Sequence, residues 1–395
     1  MSNKINIIGI GANGTNSLSK TAVDTLVKSD VIFGGIRHLD MIETKAEKTE
    51  WISPFKDNIE IVKKEFEQNK QISIIATGDV NWFGVAKIIT KHFGKQNINI
   101  INNVGAFSLA SIKMGWSIQD VNCLSIHGRK LNSIIPKLYN GAKLIVLTND
   151  KNSPIEICNV LKDNNLNDSK ITVLNELGAN SETVQEFIAN NPQLANSDLN
   201  VVAIDVVGLT PSLTGGLNDD LLINDGQLTK REVRAITMSS LQPYPNAILW
   251  DIGSGSGSIS IEWARLGGIS HAFEKNEERF NNIKQNIINL GVENNVYPYN
   301  STIDKEIDTL QSPDCIFVGG GLTSLDIDIL YNKLKTGGRL VINTVSMQGS
   351  DIINKVYQKY GGSISRINIE RNSKVGSFDT LKPMASVIHF YLIKE

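Results

Sequence analysis

Short runs of aliphatic and β-branched residues alternate along the chain with longer amphipathic stretches, which is the rhythm of strands leading into helices. In the first half the runs fall at residues 5–10, 72–76, 98–102, 143–147, 171–174 and 200–206. The β-then-α order predicts parallel sheets covered by helices. The pattern then lapses over residues 207–227, rich in Gly, Pro, Asn and Asp, as a surface linker between folding units would be. A boundary is therefore expected near Gly208, dividing the chain into 1–208 and 209–395. Strand-like runs resume at 247–250, 271–274, 315–318, 339–343 and 387–393, a second and differently designed α/β unit. Two closing runs, 364–369 and 387–392, are expected to pair as an antiparallel edge through a loop around Ser377.

A length of 395 residues favours two or more domains, and 41% hydrophobic with 20% charged residues is the composition of globular proteins with buried cores. Lys and Arg number 39 against 41 Asp and Glu, a formal charge of −2. With no overall basic field, no basic arm and no stacking aromatic cluster, neither nucleic acid nor an anionic membrane is an expected partner, and an anionic ligand needs a local basic patch. Cys123, Cys158 and Cys315 form no CxxC and sit among apolar neighbours, so buried thiols are expected instead of disulfides or a metal site. The chain enters a strand at Ile5 without a leader-like segment, and no run of about 18 uncharged apolar residues follows, so a cytoplasmic location is expected.

The sharpest local chemistry is a strand running through Trp250 and Asp251 into Gly253-Ser254-Gly255-Ser256-Gly257, with a helix expected from about Ile259. Glycines there let the backbone turn sharply and approach a ligand that a Cβ would exclude. Glu274 stands 19 residues after Gly255, at the end of the next expected strand, where a carboxylate can accept both hydroxyls of a ribose. A dinucleotide fingerprint would need glycine at Ser258. Asp251, two residues before the first glycine, instead suits the cationic methionine end of S-adenosylmethionine, so methyl transfer is the better reading. Residues 314–321 end another strand in three glycines, read equally well as the floor of a reaction site or as a tight turn. Thr229-Lys230-Arg231-Glu232-Val233-Arg234 places three cations at a helix start, which alone reads as a solvated face.

In the first half, a strand ends in Gly9-Ile10-Gly11-Ala12-Asn13-Gly14, another in Gly78-Asp79, and Val104-Gly105 opens a helix carrying Ser108; three such loops can converge on one cleft. His127 and Arg129 share a turn, where a guanidinium fork can grip a carboxylate. Arg37 and His38 form a second pair after a glycine turn. Neither imidazole has a triad or metal-ligand partner nearby.

Taken together, IIGIGANG, VIFGGIRHL, ATGDVNWFG, SIHGR, LTND and NELG resemble, in order, the corrinoid branch of the tetrapyrrole methylases. GQLTKREVRAITMSSL, LWDIGSGSGSISIEWARL and PDCIFVGGG resemble the decarboxylating methyltransferase domain that partners it. The resemblance implies a tetrapyrrole-methylase fold of two α/β subdomains with a cleft, followed by a Rossmann-like methyltransferase domain. It further implies one S-adenosylmethionine per domain, a small corrinoid precursor methylated at meso carbons 5 and 15, and loss of the ring-carbon-12 acetate as carbon dioxide. It puts Gly9, Gly11, Gly78, Asp79 and Ser108 near the first cofactor, and Thr229, Gly253 to Gly257, Glu274 and Thr302 near the second. Because the substrate carries many carboxylates, His127, Arg129, Lys230, Arg231 and Arg234 become candidates for handling it. Meso carbons are electron-rich, so the enzyme's share is alignment in a dry cleft more than acid–base catalysis. A homo-oligomer is expected.

The chain departs from the family pattern at Ala12-Asn13, at Val80 and at residues 300–303. Rival readings are a methyltransferase for another small acidic substrate and a non-catalytic tetrapyrrole-binding protein.

Overall fold

The computed structural model describes residues 4–211 and 213–395. They form two compact units: one takes the chain up to Arg129 together with Asn140–Gly208, the other Lys130–Tyr139 and Leu209–Glu395. The segment Lys130–Tyr139 thus joins the second unit although it interrupts the first in sequence.

The first unit holds two sheets. Strands β1 (Ile5–Ile10), β2 (Val31–Gly34), β3 (Glu47–Glu50), β4 (Ile72–Thr77) and β5 (Ile98–Ile101) form a parallel sheet in the order β3-β2-β4-β1-β5. Alternation along β1 explains how it is covered on both faces. Ile5 and Ile7 pack with Ile59 and Val62 of α3 (Lys56–Glu67) and Ile89 of α4 (Ala86–Phe93), while Ile8 and Ile10 pack with Ala22 and Leu26 of α1 (Lys20–Val27) and Leu39 of α2 (Ile36–Asp40). Helix α5 (Ala106–Met114) leads to the second sheet, β6 (Val121–Ser125), β7 (Lys143–Leu147), β8 (Lys170–Asn175), β9 (Thr183–Ile188) and β10 (Asn200–Asp205), ordered β6-β7-β10-β8-β9. Helix α6 (Ser153–Asp163) connects β7 to β8.

Here the expectation of parallel sheets fails in part, because only β6 and β7 run parallel. A direct turn joins β8 to β9, and so short a connection permits only antiparallel pairing. Of the strands beyond the expected ones, β3, β6 and β9 are sheet edges with weak apolar runs; β9 reads TVQEFI and has no fully buried residue.

In the second unit, β11 (Ile248–Ile252), β12 (Ile269–Phe273), β13 (Val296–Tyr299), β14 (Cys315–Val318), β15 (Arg339–Thr344), β16 (Ser363–Ile367) and β19 (Val387–Ile393) form one sheet ordered β13-β12-β11-β14-β15-β19-β16. All pairs are parallel except those of β19 with β15 and β16. The antiparallel edge is present, but its connection is no simple loop: β17 (Glu370–Val375) and β18 (Phe378–Pro383) make a separate hairpin around Ser377. The helices are α7 (Arg231–Leu241), α8 (Ser258–Arg265), α9 (Glu277–Asn289), α10 (Ile327–Lys333) and α11 (Met347–Tyr360). The segment read as a surface linker is corrected over its later part. Leu217 and Leu222, with Leu228 just beyond the segment, are buried against Ile261 of α8 and Ile283 and Ile287 of α9, so apolar residues too widely spaced to register as an element anchor it.

Among the described residues no helix is long and apolar enough to cross a membrane. Cys158 and Cys315 are buried, Cys123 half-buried, and burial pushes their thiols up to about 11, 12 and 11 respectively.

Candidate functional site

The strand order of the second unit's sheet reverses at β11, and the carboxyl edge at such a reversal is where open α/β sheets bind ligands. The glycine loop lies there, beside a cavity of about 760 Å³ whose walls include Thr229, Lys230, Glu274, Thr302, Gly320 and Asn343. Gly253, Gly255 and Gly257 all have φ between +61° and +80°. A Cβ on Gly253 would come within 2.6 Å of Gly320 backbone, whereas one on Gly255 would meet no protein atom closer than 3.6 Å. The first glycine therefore lets two loops pack together. The second leaves space over the loop that a ligand can use.

Two carboxylates hold this loop. Glu274, 6% exposed, accepts the Gly255 N–H at 3.0 Å through Oε2 and the Asn276 N–H at 2.9 Å through Oε1. Asn300 donates to the Glu274 carbonyl at 3.0 Å, so the altered segment at 300–303 supports the acid and presents Thr302 to the cavity. Asp251 is fully buried; its Oδ2 accepts from Ser254 Oγ, Ser260 N and Ser260 Oγ, while Oδ1 has no partner. Burial pushes its carboxyl up to about 6. Ser256 Oγ is likewise buried without a partner. A glycine cradle, an acid at the ribose position, and buried acceptor and hydroxyl groups left over beside them fit a cationic nucleoside such as S-adenosylmethionine.

Of the cations at the start of α7, Lys230 lines the cavity. Arg231 is absent from its wall, exposed, and donates through Nε to the Gly216 carbonyl at 3.1 Å. Arg234 is corrected from substrate contact to structural anchor. It is wholly buried and donates to Glu262 at 2.7 Å, Asp219 at 2.8 Å and the carbonyls of Thr229 and Leu217. Glu262 in turn accepts the N–H groups of Gly216 and Leu217. A run of three cations gives no hint in sequence that one points inward; the distant acids that neutralise it decide that.

In the first unit the three glycine loops meet. A Cβ on Gly9 would lie 2.0 Å from the Gly78 carbonyl oxygen, one on Gly78 2.9 Å from the Val104 carbonyl oxygen, and one on Gly105 2.8 Å from Asp79 Cβ. Gly11 donates its N–H to Ser17 Oγ at 2.8 Å. Asp79 accepts from Asn81 N and Trp82 N, so its carboxylate shapes its own turn, and Ser108 sits half-buried in the first turn of α5. An open cleft of about 470 Å³ is lined by Ala12, Asn13, Gly14, Met41, Ala179 and Asn180 among others. His127 and Arg129 are exposed; His127 Nδ1 lies 3.2 Å from the Thr148 carbonyl, and the Arg129 guanidinium lies 4.5 Å over the Phe83 ring.

That ring belongs to an aromatic group that single-residue motifs missed. Trp82 and Phe83 both contact Phe107, at centroid distances of 4.9 and 5.7 Å, and the adjacent Trp-Phe after Gly78-Asp79 was its available signal. Arg37 donates to His38 Nε2 at 3.0 Å and Thr77 Oγ1 at 3.1 Å, and burial together with the Arg37 charge holds the imidazole down to about 4.

Comparison with known proteins gives a separate family match for each half of the chain. Residues 4–189 match the family model of Tetrapyrrole (Corrin/Porphyrin) Methylases, and residues 220–394 that of a Precorrin methyltransferase domain. The protein is thus an α/β enzyme of the S-adenosylmethionine-dependent tetrapyrrole methyltransferase class, with two methyltransferase modules on one chain. The precorrin-6Y C(5,15)-methyltransferase (decarboxylating) of a Sinorhizobium species is 34% identical, covering 97% of this chain and 94% of its own. One from Mycobacterium tuberculosis is 29% identical over 98% and 99% of the two chains. The solved C-terminal domain of the Rhodobacter capsulatus precorrin-6Y C5,15-methyltransferase is 30% identical, covers 46% of this chain and all of that one, and has a TM-score of 0.45. The chain belongs to the family of decarboxylating precorrin-6Y C(5,15)-methyltransferases.

Proposed function

We propose that the protein methylates precorrin-6Y, or its cobalt counterpart, at meso carbons 5 and 15 and removes the ring-carbon-12 acetate as carbon dioxide, in cobalamin biosynthesis. Residues 1–208 act as the tetrapyrrole methylase domain and 209–395 as the methyltransferase and decarboxylase domain, each with its own S-adenosylmethionine. The observation that carries this reading is the second unit's cavity, where a glycine loop at the sheet's reversal point is held by buried Asp251 and Glu274. When bound, the cofactor supplies an electrophilic methyl group on a sulfonium.

The chain's own part is placement. Glu274 has lone pairs left to accept ribose hydroxyls, Asp251 Oδ1 offers a negative partner for the methionine ammonium directly or through water, and Thr302 approaches the adenine side. Lys230 in the second unit and Arg129 in the first supply cations for the substrate's carboxylates. The exposed faces of Trp82 and Phe83 offer a flat apolar surface to a macrocycle. The assembly works in the cytoplasm as a homo-oligomer, without nucleic acid or membrane.

The test is a calorimetric titration of the full chain with S-adenosylhomocysteine, reading equivalents per chain. Two equivalents are expected. One equivalent overturns the assignment of a cofactor to each domain, and none overturns the methyltransferase reading. Incubation with precorrin-6Y and labelled S-adenosylmethionine then separates an enzyme from a carrier, which would bind both and transfer nothing.

A further inference from the structure

The part of the cavity wall supplied by the ends of β14, β15 and β19 carries no charged side chain, in contrast to the part bearing Lys230, Glu274 and Lys275. Its one side-chain amide is Asn343, near the end of β15, half-buried and facing a relay of buried groups. Ser240 Oγ of α7 lies 2.9 Å from His389 Nε2, and His389 Nδ1 lies 2.7 Å from Asn343 Oδ1. Asn343 Nδ2 donates to Thr237 Oγ1 at 2.8 Å, and Thr237 Oγ1 donates to the Val233 carbonyl at 2.8 Å.

The direction of every bond in this chain follows from the last one. The Thr237 hydroxyl spends its only proton on a carbonyl, so toward Asn343 it can only accept, which requires the amide nitrogen there. The amide oxygen then faces His389, and because it can only accept, His389 Nδ1 must carry the proton. Nε2 is left as acceptor for the Ser240 hydroxyl. His389 is 2% exposed, and burial keeps its pKa below the ordinary histidine value, consistent with a neutral ring. The amide is locked in one orientation with one N–H unspent, on a residue that lines the cavity.

Resting on the function proposed above, we infer that Asn343 contacts the substrate in the decarboxylation step, its free N–H holding the carboxylate of the ring-carbon-12 acetate, and that His389 is the positioning residue that aims it. In that step the bond between the acetate methylene and its carboxyl carbon breaks. The electron pair passes into the conjugated macrocycle, carbon dioxide leaves, and the methylene carbon takes a proton from water to become a ring methyl. The carboxylate must lose its charge as the bond breaks. A lysine or arginine on it would stabilise the ground state more than the transition state and slow the reaction. A neutral amide orients the group at less cost to the barrier, which gives a chemical reason for the uncharged wall.

The experiment incubates the full-length protein with precorrin-6Y and S-adenosylmethionine and measures by mass spectrometry what fraction of methylated product has also lost carbon dioxide. This fraction is a property of each folded, turning-over molecule, so loss of folded protein leaves it unchanged. Asn343→Ala is expected to lower it at least tenfold with S-adenosylhomocysteine affinity retained, and the isosteric Asn343→Asp to lower it further by repelling the substrate carboxylate. His389→Ala should lower it several-fold, and His389→Gln, which can still donate to Asn343 Oδ1, should recover part of the loss. An unchanged fraction in Asn343→Ala and Asn343→Asp overturns the inference alone. Methylation without decarboxylation by the wild type overturns the proposed function and this inference with it.

Discussion

Both units open on a strand that runs into glycines, yet the two turns are used differently. In the first unit the glycines are spacers between protein loops: a Cβ on Gly9, Gly78 or Gly105 would strike another loop at 2.0 to 2.9 Å. In the glycine turn of the second unit Gly253 is pinned in this way, while a Cβ on Gly255, beside two buried carboxylates, would meet no protein atom closer than 3.6 Å. The difference teaches that a glycine-rich turn is not in itself a ligand cradle. What a side chain would meet there separates glycines required by packing from those required by a ligand. The candidate side chains differ in the same sense: His127 and Arg129 are exposed, whereas Asp251 and Glu274 are buried beside the second loop.

The sharpest way to break this comparison is Gly253→Val, because φ is +68° and its Cβ would lie 2.6 Å from Gly320 backbone. Titration with S-adenosylhomocysteine should fall from two equivalents to one, with the methylation assigned to the first unit preserved. If both equivalents vanish while the protein stays folded, the two sites are not independent.

Arg234→Ala should follow in size. It strips Glu262, 2% exposed, of the guanidinium that donates to it at 2.7 Å and should cost roughly 3–5 kcal/mol of stability, measured by denaturant unfolding. An effect below about 1 kcal/mol would return Arg234 to the candidates for substrate contact.

Asp251 gives the second site a pH dependence of its own. Its carboxyl, raised to about 6 by burial with the Glu274 charge adding to the shift, binds a proton below that pH, while the cationic methionine end favours the ionised form. Binding therefore releases a proton: affinity is full above about pH 6 and falls as pH drops, by up to about tenfold per unit. Asp251→Asn should flatten the profile of one equivalent and leave the other unchanged; identical profiles in wild type and variant would remove Asp251 from the site.

Arg129→Ala is expected to have the smallest effect. The side chain is exposed and rests on Phe83, so stability should move by less than about 0.5 kcal/mol while KM for the corrinoid rises a few-fold. An unchanged KM would leave Arg129 as a surface residue stacked on an aromatic ring.

Long apolar runs were legible as elements because burial on both faces leaves a signal independent of context; β1, β7 and β14 occur at the expected residues. Edge strands β3, β6, β9 and β13 were not, since one solvated face lets polar residues break the run. The hairpin β17–β18 was missed for a related reason: much of it faces solvent, with Val375, Phe378 and Leu381 all exposed. The Gly253–Gly257 loop and Glu274 were readable because a tight glycine turn, with φ positive at all three glycines, constrains residue type locally. The Asn343–His389 relay left no trace in sequence, since its members lie 46 residues apart and meet only when β19 pairs with β15.

By itself, the sequence determined that this is an α/β chain of two designs, where its glycine turns lie, and which acid belongs to the second loop. Each of these depends on residue types within about twenty positions of one another. Tertiary structure alone decided that the supposed linker is anchored by buried leucines, that Arg234 points inward to Glu262 while Lys230 faces the cavity, and that His389 fixes the Asn343 amide. Those outcomes depend on which distant groups share a buried volume, because burial charges every donor, acceptor and ion the full loss of water unless a partner from elsewhere in the chain replaces it.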